Sequence, residues 1–311
     1  MSRPHSFRFG IQASTAADGK SWTDLARRVE DLGFSTLFMP DHFGPQLAPI
    51  PALAAAAQAT TSLRVGGLVL DNDYKHPVVL AKELATLDVL SGGRLEVGLG
   101  AGWMKTDYDQ SGIAYDTPGV RIDRFEEGIT ILKGLFGGGA FSFEGEHYTI
   151  TELDGQPKPV QTPPPLLIGA GGPRMLKIAA READIVGVNP SLRSGRIDRS
   201  TSADVTAEAY DRKLATLREA AGERFDDLEL QCLMFFVNPT DDALGFATTM
   251  APMFDLAPEA VLDVPVALIG STEQMVETLQ ARRERWGLSY FVGQADTLDA
   301  LAPVVAALAG T

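Results

Sequence analysis

The adjacent residues Asp41 and His42 carry the side chains that most directly suggest acid–base chemistry in this sequence. They follow residues 36–39, a short apolar segment with the composition of a buried strand. A carboxylate beside an imidazole can exchange protons with a substrate or bind a polar edge of a cofactor. The same spacing fits a helix-capping aspartate and a solvated histidine, so spacing alone leaves both interpretations open.

The glycine-rich residues 169–172 form a candidate phosphate site. They follow the apolar residues 166–168 and precede a predicted helix that begins at Pro173. Backbone N–H groups at a helix N-terminus bind phosphate, and glycine lets a ligand approach the backbone closely. An ordinary tight turn has the same composition, and no Gly-Lys-Ser or Gly-Lys-Thr follows as in a P-loop, so the pattern leaves both interpretations open.

Metal and covalent chemistry have little support in the sequence. The four histidines lack the spacing of metal ligands, and the single cysteine, Cys232, excludes both a zinc site built on a cysteine cluster and an intrachain disulfide. No Gly-x-Ser-x-Gly segment supplies a serine nucleophile. We therefore predict no metal site. Arg193, Arg196 and Arg199 stand close together in an acidic chain, where they either clamp an anionic group or remain solvated.

Segments with strand-like and helix-like hydrophobic patterns alternate along the chain. In residues 121–136, for example, Phe125, Ile129, Leu132 and Phe136 recur at helical spacing. Eight strand–helix units predict a (β/α)8 TIM barrel, and a doubly wound open sheet is the alternative. The predicted strands are residues 7–13, 36–39, 63–70, 95–99, 166–168, 185–188, 228–237 and 289–292.

We expect a single domain over residues 1–311, because no low-complexity linker divides the chain. A typical barrel of this class has about 250 residues, which leaves room for insertions. Residues 137–165 are rich in Gly and Pro and contain a predicted hairpin with Gly145 in its turn. Residues 189–202 are polar and aperiodic, and one helix is predicted over residues 203–221. We expect both insertions at the C-terminal rim of the strands, where barrels place their active sites.

Composition and charge exclude several classes of partner. The 27 Lys and Arg residues against 41 Asp and Glu residues give a net charge of −14, which argues against nucleic acid and against an anionic membrane surface as the main partner. The first residues lack the apolar segment of a signal peptide, and no apolar stretch is long enough to span a bilayer. We therefore expect a cytoplasmic protein that acts on a small molecule.

Several segments resemble the bacterial luciferase-like monooxygenase superfamily, and the similarity extends over essentially the whole chain. Residues 40–43, Pro-Asp-His-Phe, are similar to the branch that uses the 5-deazaflavin coenzyme F420. The other matching segments are residues 64–70, 74–77, 84–103, 121–128, 167–172 and 268–273.

The resemblance implies a (β/α)8 barrel that binds a flavin or deazaflavin at the C-terminal ends of its strands. It implies a non-proline cis peptide at Leu68–Val69 behind the cofactor ring, Asp41 near the polar edge of the ring, and His42 as the acid or base for the substrate. The remaining implied contacts are Ala101 and Gly102 beside the ring, backbone donors at Ala170, Gly171 and Gly172 for the phosphate, Arg174 as a cationic contact, and Asn189 facing the substrate.

The sequence departs from one branch of this family. In its sugar-phosphate dehydrogenases a glutamate follows the glycine in the loop after the fourth strand, where this chain has Trp103. Those enzymes also place a phosphate-binding lysine shortly after the sixth strand, where this chain has residues 190–192, Pro-Ser-Leu. We therefore expect a substrate other than glucose 6-phosphate. Trp103 either contacts an apolar or planar substrate or packs the rim.

Three functions fit the resemblance. The leading one is an F420-dependent oxidoreductase that transfers a hydride to or from an organic substrate. The others are an FMN-dependent monooxygenase that receives reduced flavin from a partner reductase, and a non-catalytic flavin-binding relative. Arg174, Arg193 and Arg196 slightly favour F420, whose polyglutamate tail needs cationic contacts, but the loop arginines fit an FMN phosphate or no ligand equally well. The polar rim argues against a non-catalytic protein. Members of the family commonly pair, so we expect a homodimer.

Overall fold

The computed structural model describes residues 5–311, in which a closed barrel of parallel strands is surrounded by helices, as the sequence predicts. The strands in this range are β1 (Arg8–Gln12), β2 (Thr36–Met39), β3 (Arg64–Gly67), β4 (Leu70–Asp71), β5 (Leu95–Gly100), β6 (Phe141–Glu144), β7 (Thr149–Leu153), β8 (Leu166–Ala170), β9 (Ile185–Val188), β10 (Glu229–Leu233), β11 (Phe236–Pro239), β12 (Ala267–Gly270) and β13 (Leu288–Gln294). Around the barrel the order is β3-β2-β1-β13-β10-β9-β8-β5-β4, and the pairing of β3 with β5 closes it. Since β4 continues β3, the barrel has eight strand positions.

The helices follow the strands and cover the outside of the barrel. Their ends have local causes: for example, the helix that begins at Thr272 is capped by Ser271, whose Oγ accepts the Gln274 N–H, and it ends at Gly287, where φ is +77°. The helices in the described range are α1 (Gly19–Asp31), α2 (Pro49–Ala59), α3 (Pro77–Ser91), α4 (Lys105–Ser111), α5 (Pro118–Phe136), α6 (Pro173–Glu182), α7 (Arg199–Ala203), α8 (Ala207–Ala221), α9 (Ala243–Phe254), α10 (Pro258–Val261), α11 (Thr272–Trp286) and α12 (Leu298–Leu308).

Two segments predicted as continuous strands are divided in the structure. In residues 63–70, β3 and β4 are separated by the peptide bond Leu68–Val69, which is cis as the resemblance implied. The prediction of one strand over residues 228–237 was wrong, because β10 stays in the barrel while β11 leaves it and pairs with the unpredicted β12. The apolar run continues across this turn, so hydrophobicity alone does not show where the chain leaves the barrel.

The segment after β9 also differs from the prediction. The prediction of a single helix over residues 203–221 was wrong. Helix α7 already begins at Arg199, and a break at residues 204–206 separates it from α8. Thr206 causes the second start, because its Oγ1 accepts a hydrogen bond from the N–H of Ala209. The predicted loop therefore includes a short helix beside the barrel mouth.

The predicted hairpin in residues 137–165 is confirmed as β6 and β7, with Gly145 N–H donating to the Tyr148 carbonyl at 2.9 Å. This insertion leaves the end of α5, and the Tyr148 ring lies 5.3 Å from the His76 ring near the end of β4. A further insertion that the sequence did not reveal follows β10 and contains β11, α9 and α10. Within residues 5–311, no helix combines the length and apolar character needed to cross a membrane.

Charged side chains meet at the N-terminal ends of the barrel strands, opposite the predicted site. Arg8 on β1 pairs with Glu96 on β5 and with Glu229 on β10, and Arg64 on β3 contacts Glu96 at 2.7 Å. Burial raises the pKa of the Glu229 carboxyl to about 6. This network ties four strands together at the end of the barrel away from the mouth.

Candidate active site

A pocket of about 410 Å³ opens at the C-terminal ends of β2, β4, β5, β8 and β9. This is the end of a barrel at which the strand-to-helix loops assemble active sites. The predicted site residues that line it are Asp41, His42, Val69, Ala101, Gly102, Trp103, Gly171, Gly172, Arg174 and Asn189. The barrel therefore brings together residues that are far apart in sequence.

Two of the predicted cofactor residues, Leu68 and Ala170, do not line this pocket. Both are buried, and Leu68 packs within the barrel while its carbonyl accepts a hydrogen bond from Gln12 Nε2 at 2.7 Å. Ala170 ends β8 and its carbonyl accepts the N–H of Asn189. Their side chains therefore support the pocket from behind.

The floor of the pocket is formed by Val69 and by glycines from two neighbouring strands. A Cβ atom at Gly100 would lie 2.6 Å from Cγ2 of Val69, and one at Gly169 would lie 3.3 Å from its Cγ1. Side chains at these two positions would collide with Val69 or fill the space above it. The glycines thus leave a shallow apolar floor, on which a planar group can lie.

One wall of the pocket carries two neighbouring carboxyl groups, Asp41 and Asp71. The N–H of Asp71 donates to Asp41 Oδ2 at 3.2 Å, and Tyr108 O–H donates to the Asp71 carboxyl at 3.1 Å. Burial raises the pKa of Asp41, and burial together with the adjacent Asp73 charge raises that of Asp71 to about 7. This wall can therefore hold a proton near neutral pH and can donate a hydrogen bond as well as accept one.

The carboxylate of Asp73 is neutralised on the far side of this wall. Arg124 on α5 donates to Asp73 through Nε at 2.8 Å and through Nη2 at 3.0 Å. The Tyr108 hydroxyl lies between Asp71 and Asp73, within hydrogen-bond distance of both carboxyl groups, at 3.1 Å and 3.0 Å. Asp71 has no arginine partner among the described residues. Its charge is therefore not neutralised as that of Asp73 is, although the two residues are close in sequence.

His42 lies on the rim of the acidic wall with its imidazole held on two sides. Its Nδ1 is 2.7 Å from Oδ2 of Asp107 on α4, and its ring meets the Trp103 ring edge-on at 5.8 Å between centroids. The His42 side chain is 26% exposed, whereas that of Asp107 is 5% exposed. The imidazole is thus accessible from the pocket while its carboxylate partner is shielded.

The pocket lining also includes hydrogen-bond donors. Gly171 and Gly172 precede α6, and no side chain caps the N-terminus of this helix. Arg121 on α5 lines the same pocket, is 2% exposed, and has no carboxylate in ion-pair range within residues 5–311. Its guanidinium lies 4.3 Å from the Tyr115 ring centroid, and its buried Nε has no hydrogen-bond partner in this range. These donors and the positive end of the helix dipole can bind an anion.

Arg174, the predicted cationic contact, lines the pocket but is already paired. Its guanidinium donates to Asp123 and to Glu126 on α5, each at 2.6 Å, and its side chain is 44% exposed. A ligand anion would have to compete with these two carboxylates. Arg121 differs from Arg174 in having no carboxylate partner within residues 5–311, although its Nη1 donates to the Asp116 carbonyl.

The loop after β9 forms the remaining side of the pocket. Asn189 stands at its base, and Ser191, Leu192 and Arg193 line the mouth. The loop is anchored at both ends, because Ser191 N–H donates to Asp204 Oδ2 at 2.7 Å and the Gly195 carbonyl accepts Lys105 N–H at 3.0 Å. Trp103, Ile122, Met175 and Leu192 give the mouth a largely apolar lining.

Sequence reasoning missed three residues of this site: Asp71, Asp107 and Arg121. Asp71 directly follows the predicted strand of residues 63–70 and Arg121 begins the helical pattern of residues 121–136, so position in the chain was an available signal for both. Asp107 lies on α4, a helix that the hydrophobic pattern did not reveal. Asp107 contacts His42 through a hydrogen bond between residues 65 positions apart, which the sequence pattern does not show.

Known proteins share this fold and parts of this sequence. An F420-dependent glucose-6-phosphate dehydrogenase of Nakamurella multipartita is 32% identical over 238 residues, which are 73% of this chain and 66% of that protein. The matches to two further relatives of the same name cover 55% and 56% of their lengths, so the chain spans between half and two thirds of these relatives.

Solved structures extend the comparison to the whole barrel. The F420-dependent tetrahydromethanopterin reductase of Methanopyrus kandleri has a TM-score of 0.77 at 20% identity and covers 97% of this chain and 98% of its own. A long-chain alkane monooxygenase has a TM-score of 0.75 at 15% identity, with 98% and 91% coverage. These similarities show a common fold. Residues 5–235 match the family described as luciferase-like monooxygenase, and the chain belongs to that family.

Proposed function

We propose that this protein is an F420-dependent oxidoreductase that transfers a hydride between the deazaflavin coenzyme and an uncharged, largely apolar organic substrate. The observation that carries the proposal is the lining of this one pocket, which combines the carboxyl groups of Asp41 and Asp71, the donors of Arg121 and the α6 N-terminus, and an apolar floor at Val69. The 32% identity to a protein named for F420 supports this cofactor.

The residues present fit a planar ring that carries an anionic side chain. Val69, Gly100 and Gly169 leave a floor without projecting side chains. The buried Nε of Arg121 lacks a partner among the described residues, and a phosphate oxygen would satisfy it. Asp41 and Asp71 would face the polar edge of the ring, where a protonated carboxyl donates and an ionised one accepts.

When bound, the coenzyme supplies a carbon atom that donates or accepts a hydride. His42 would give a proton to the substrate in the reducing direction and take one in the oxidising direction. Trp103, Ile122 and Leu192 would exclude water from the reacting atoms and favour an apolar substrate. Glucose 6-phosphate fits this mouth poorly, since Trp103 replaces a carboxylate of the sugar-phosphate dehydrogenases.

Anaerobic turnover tests the proposal. The purified protein is mixed with reduced F420 and a panel of apolar ketones, enones and imines, and the return of the oxidised coenzyme is followed by its absorbance. We expect at least one compound to oxidise the coenzyme without O2, glucose 6-phosphate to be inactive, and His42→Ala to slow turnover about 10²-fold or more. Product formation that needs reduced FMN and O2, with no oxidation of reduced F420, would support the monooxygenase function instead.

Two further expectations concern partners. We propose that the protein works as a homodimer and that a separate reductase or dehydrogenase supplies the coenzyme in the required oxidation state. Size-exclusion chromatography with light scattering tests the first expectation, and a mass of one chain, 33.3 kDa, would contradict it.

A further inference from the structure

We propose that Asp107 is the positioning residue for His42: its carboxylate holds the imidazole as the Nδ1–H tautomer, so that Nε2 is the ring nitrogen that exchanges protons in the pocket. The chemical role of Nε2 rests on the proposed function, whereas the tautomer itself does not. Asp107 is separated from the substrate-facing surface by His42, since its own side chain is almost fully buried.

Three polar groups surround the carboxylate of Asp107. Oδ2 of Asp107 lies 2.7 Å from Nδ1 of His42 and accepts the Tyr74 O–H at 3.1 Å. Oδ1 lies 3.4 Å from the backbone N–H of Phe43. An ionised carboxylate only accepts hydrogen bonds, so each of these three partners must present a hydrogen to it.

Tyr74 can supply its hydrogen throughout the physiological range. Burial and the neighbouring carboxylates of Asp71 and Asp107 raise the pKa of its phenol far above the usual value. Tyr74 is also fixed in place, with its ring 4.4 Å from that of Phe43. The phenol therefore remains a donor, and the carboxylate has no hydrogen to offer to Nδ1.

The hydrogen bond to Asp107 determines which of the two ring nitrogens of His42 carries a hydrogen. With Nδ1–H directed at Asp107, neutral His42 has its lone pair on Nε2, and protonated His42 carries its exchangeable proton there. The Trp103 ring meets the imidazole edge-on, which restricts rotation about the side chain. A solvated imidazole prefers the opposite tautomer, Nε2–H. The Nδ1–H tautomer would therefore distinguish His42 from a solvated histidine.

The tautomer can be measured without substrate or cofactor. The whole chain is labelled with ¹⁵N-histidine, and long-range ¹H–¹⁵N correlation spectra identify which ring nitrogen carries the hydrogen. The sequence contains four histidines, so His42→Gln assigns the signal by its loss. Spectra are recorded over a series of pH values, and the tautomer is assigned from the spectra of the neutral ring.

We expect the wild-type protein to show Nδ1–H for His42. In Asp107→Asn the amide oxygen can accept from the Phe43 N–H, which turns its NH2 group towards Nδ1 and shifts the ring to Nε2–H. Asp109→Asn is the matched control, since Asp109 is an exposed residue of the same helix that pairs with Lys105, and it should leave the tautomer unchanged. An Nε2–H tautomer in the wild-type protein would overturn the proposal, whether or not Asp107→Asn folds.

A kinetic measurement separates positioning from a merely structural role. With an active substrate, Asp107→Asn should lower kcat about 10²-fold while its Kd for F420 stays close to that of the wild-type protein, and Asp107→Glu should restore part of kcat. An Asp107→Asn variant with wild-type kcat would overturn the proposal. If F420 does not bind the wild-type protein but His42 is Nδ1–H, the proposed function fails and the positioning role of Asp107 stands.

Discussion

The backbone N–H of Asp71 donates a 3.2 Å hydrogen bond to the carboxylate of Asp41, which joins the ends of β2 and β4 at the acidic wall of the pocket. The two side chains differ in their remaining partners. Asp71 accepts from Tyr108 and from the N–H of Asp73, whereas Asp41, which also lines the pocket, accepts only the Asp71 N–H among the described residues. This arrangement makes Asp41 the residue for ligand contact and Asp71 the residue whose charge is hardest to stabilise.

Asp71 should make the stability of the protein depend on pH. Its pKa in the folded protein is about 7, above the ordinary value of 3.8, so folding favours the protonated form. The stabilisation is complete below pH 4 and is lost as the pH rises through 7, with a magnitude of roughly 2–4 kcal/mol. Asp71→Asn should therefore raise Tm by several degrees at pH 8 and leave it nearly unchanged at pH 4. An equal change in Tm at both pH values would show that Asp71 is not the titrating group.

Asp41→Ala should weaken the binding of F420. The substitution removes the carboxyl that faces the polar edge of the ring, and hydrogen bonds to charged groups contribute about 1.5–3 kcal/mol, which is about 10- to 100-fold in Kd. Isothermal titration with the wild-type protein and the variant measures the difference. An unchanged Kd would remove Asp41 from the cofactor site.

Arg121 and Arg174 should differ sharply as anion-binding residues. Arg121 is buried without a carboxylate partner in residues 5–311, while Arg174 is paired with Asp123 and Glu126. Arg121→Gln should weaken F420 binding about 10-fold or more, and Arg174→Gln should have a smaller effect. A deazaflavin without the phosphate and tail should bind wild type and Arg121→Gln alike.

The opposite order of effects would place the anion at the exposed rim near Arg174. Circular dichroism of both variants provides the check on folding, and Arg121→Lys retains a positive charge if the glutamine variant proves unstable. Loss of affinity for the deazaflavin without a phosphate would show that Arg121 acts through the shape of the pocket and not through the anion.

The glycines of the α6 loop should tolerate alanine unequally. A Cβ at Gly171 would overlap the backbone carbonyl of Pro190, whereas one at Gly172 would meet only Ser191 Oγ at 3.8 Å. Gly171→Ala should cost about 1–3 kcal/mol of unfolding free energy and displace the loop after β9. Gly172→Ala should be close to neutral in thermal denaturation. Equal stability of the two variants would contradict the close approach of these loops.

The sequence predicted the barrel well because its strands are buried on both faces. Residues 36–39 and 185–188 are uniformly buried in the structure, and such strands appear as short apolar runs that need no long-range information. The same signal failed in residues 228–237, because apolar residues continue past β10 into β11. Hydrophobicity reports burial and does not report which sheet a strand joins.

The sequence predicted where the candidate site lies, but it did not predict which side chains contact each other there. The rim location of Asp41, His42 and Asn189 followed from the strand ends. The pairing of Arg174 with two carboxylates of α5 depends on how α5 and α6 pack side by side, which has no signature in either segment alone. The contact of Asp107 with His42 is of the same kind.

The most direct test of the account is a titration of the purified protein with F420 and, separately, with FMN, followed by tryptophan fluorescence. Trp103 lines the pocket while Trp22 and Trp286 are buried elsewhere, so quenching reports occupancy of the site and should decrease strongly in Trp103→Phe. We predict saturable quenching at lower concentrations of F420 than of FMN. Tighter binding of FMN, or no binding of either compound, would contradict the assignment of this pocket to F420.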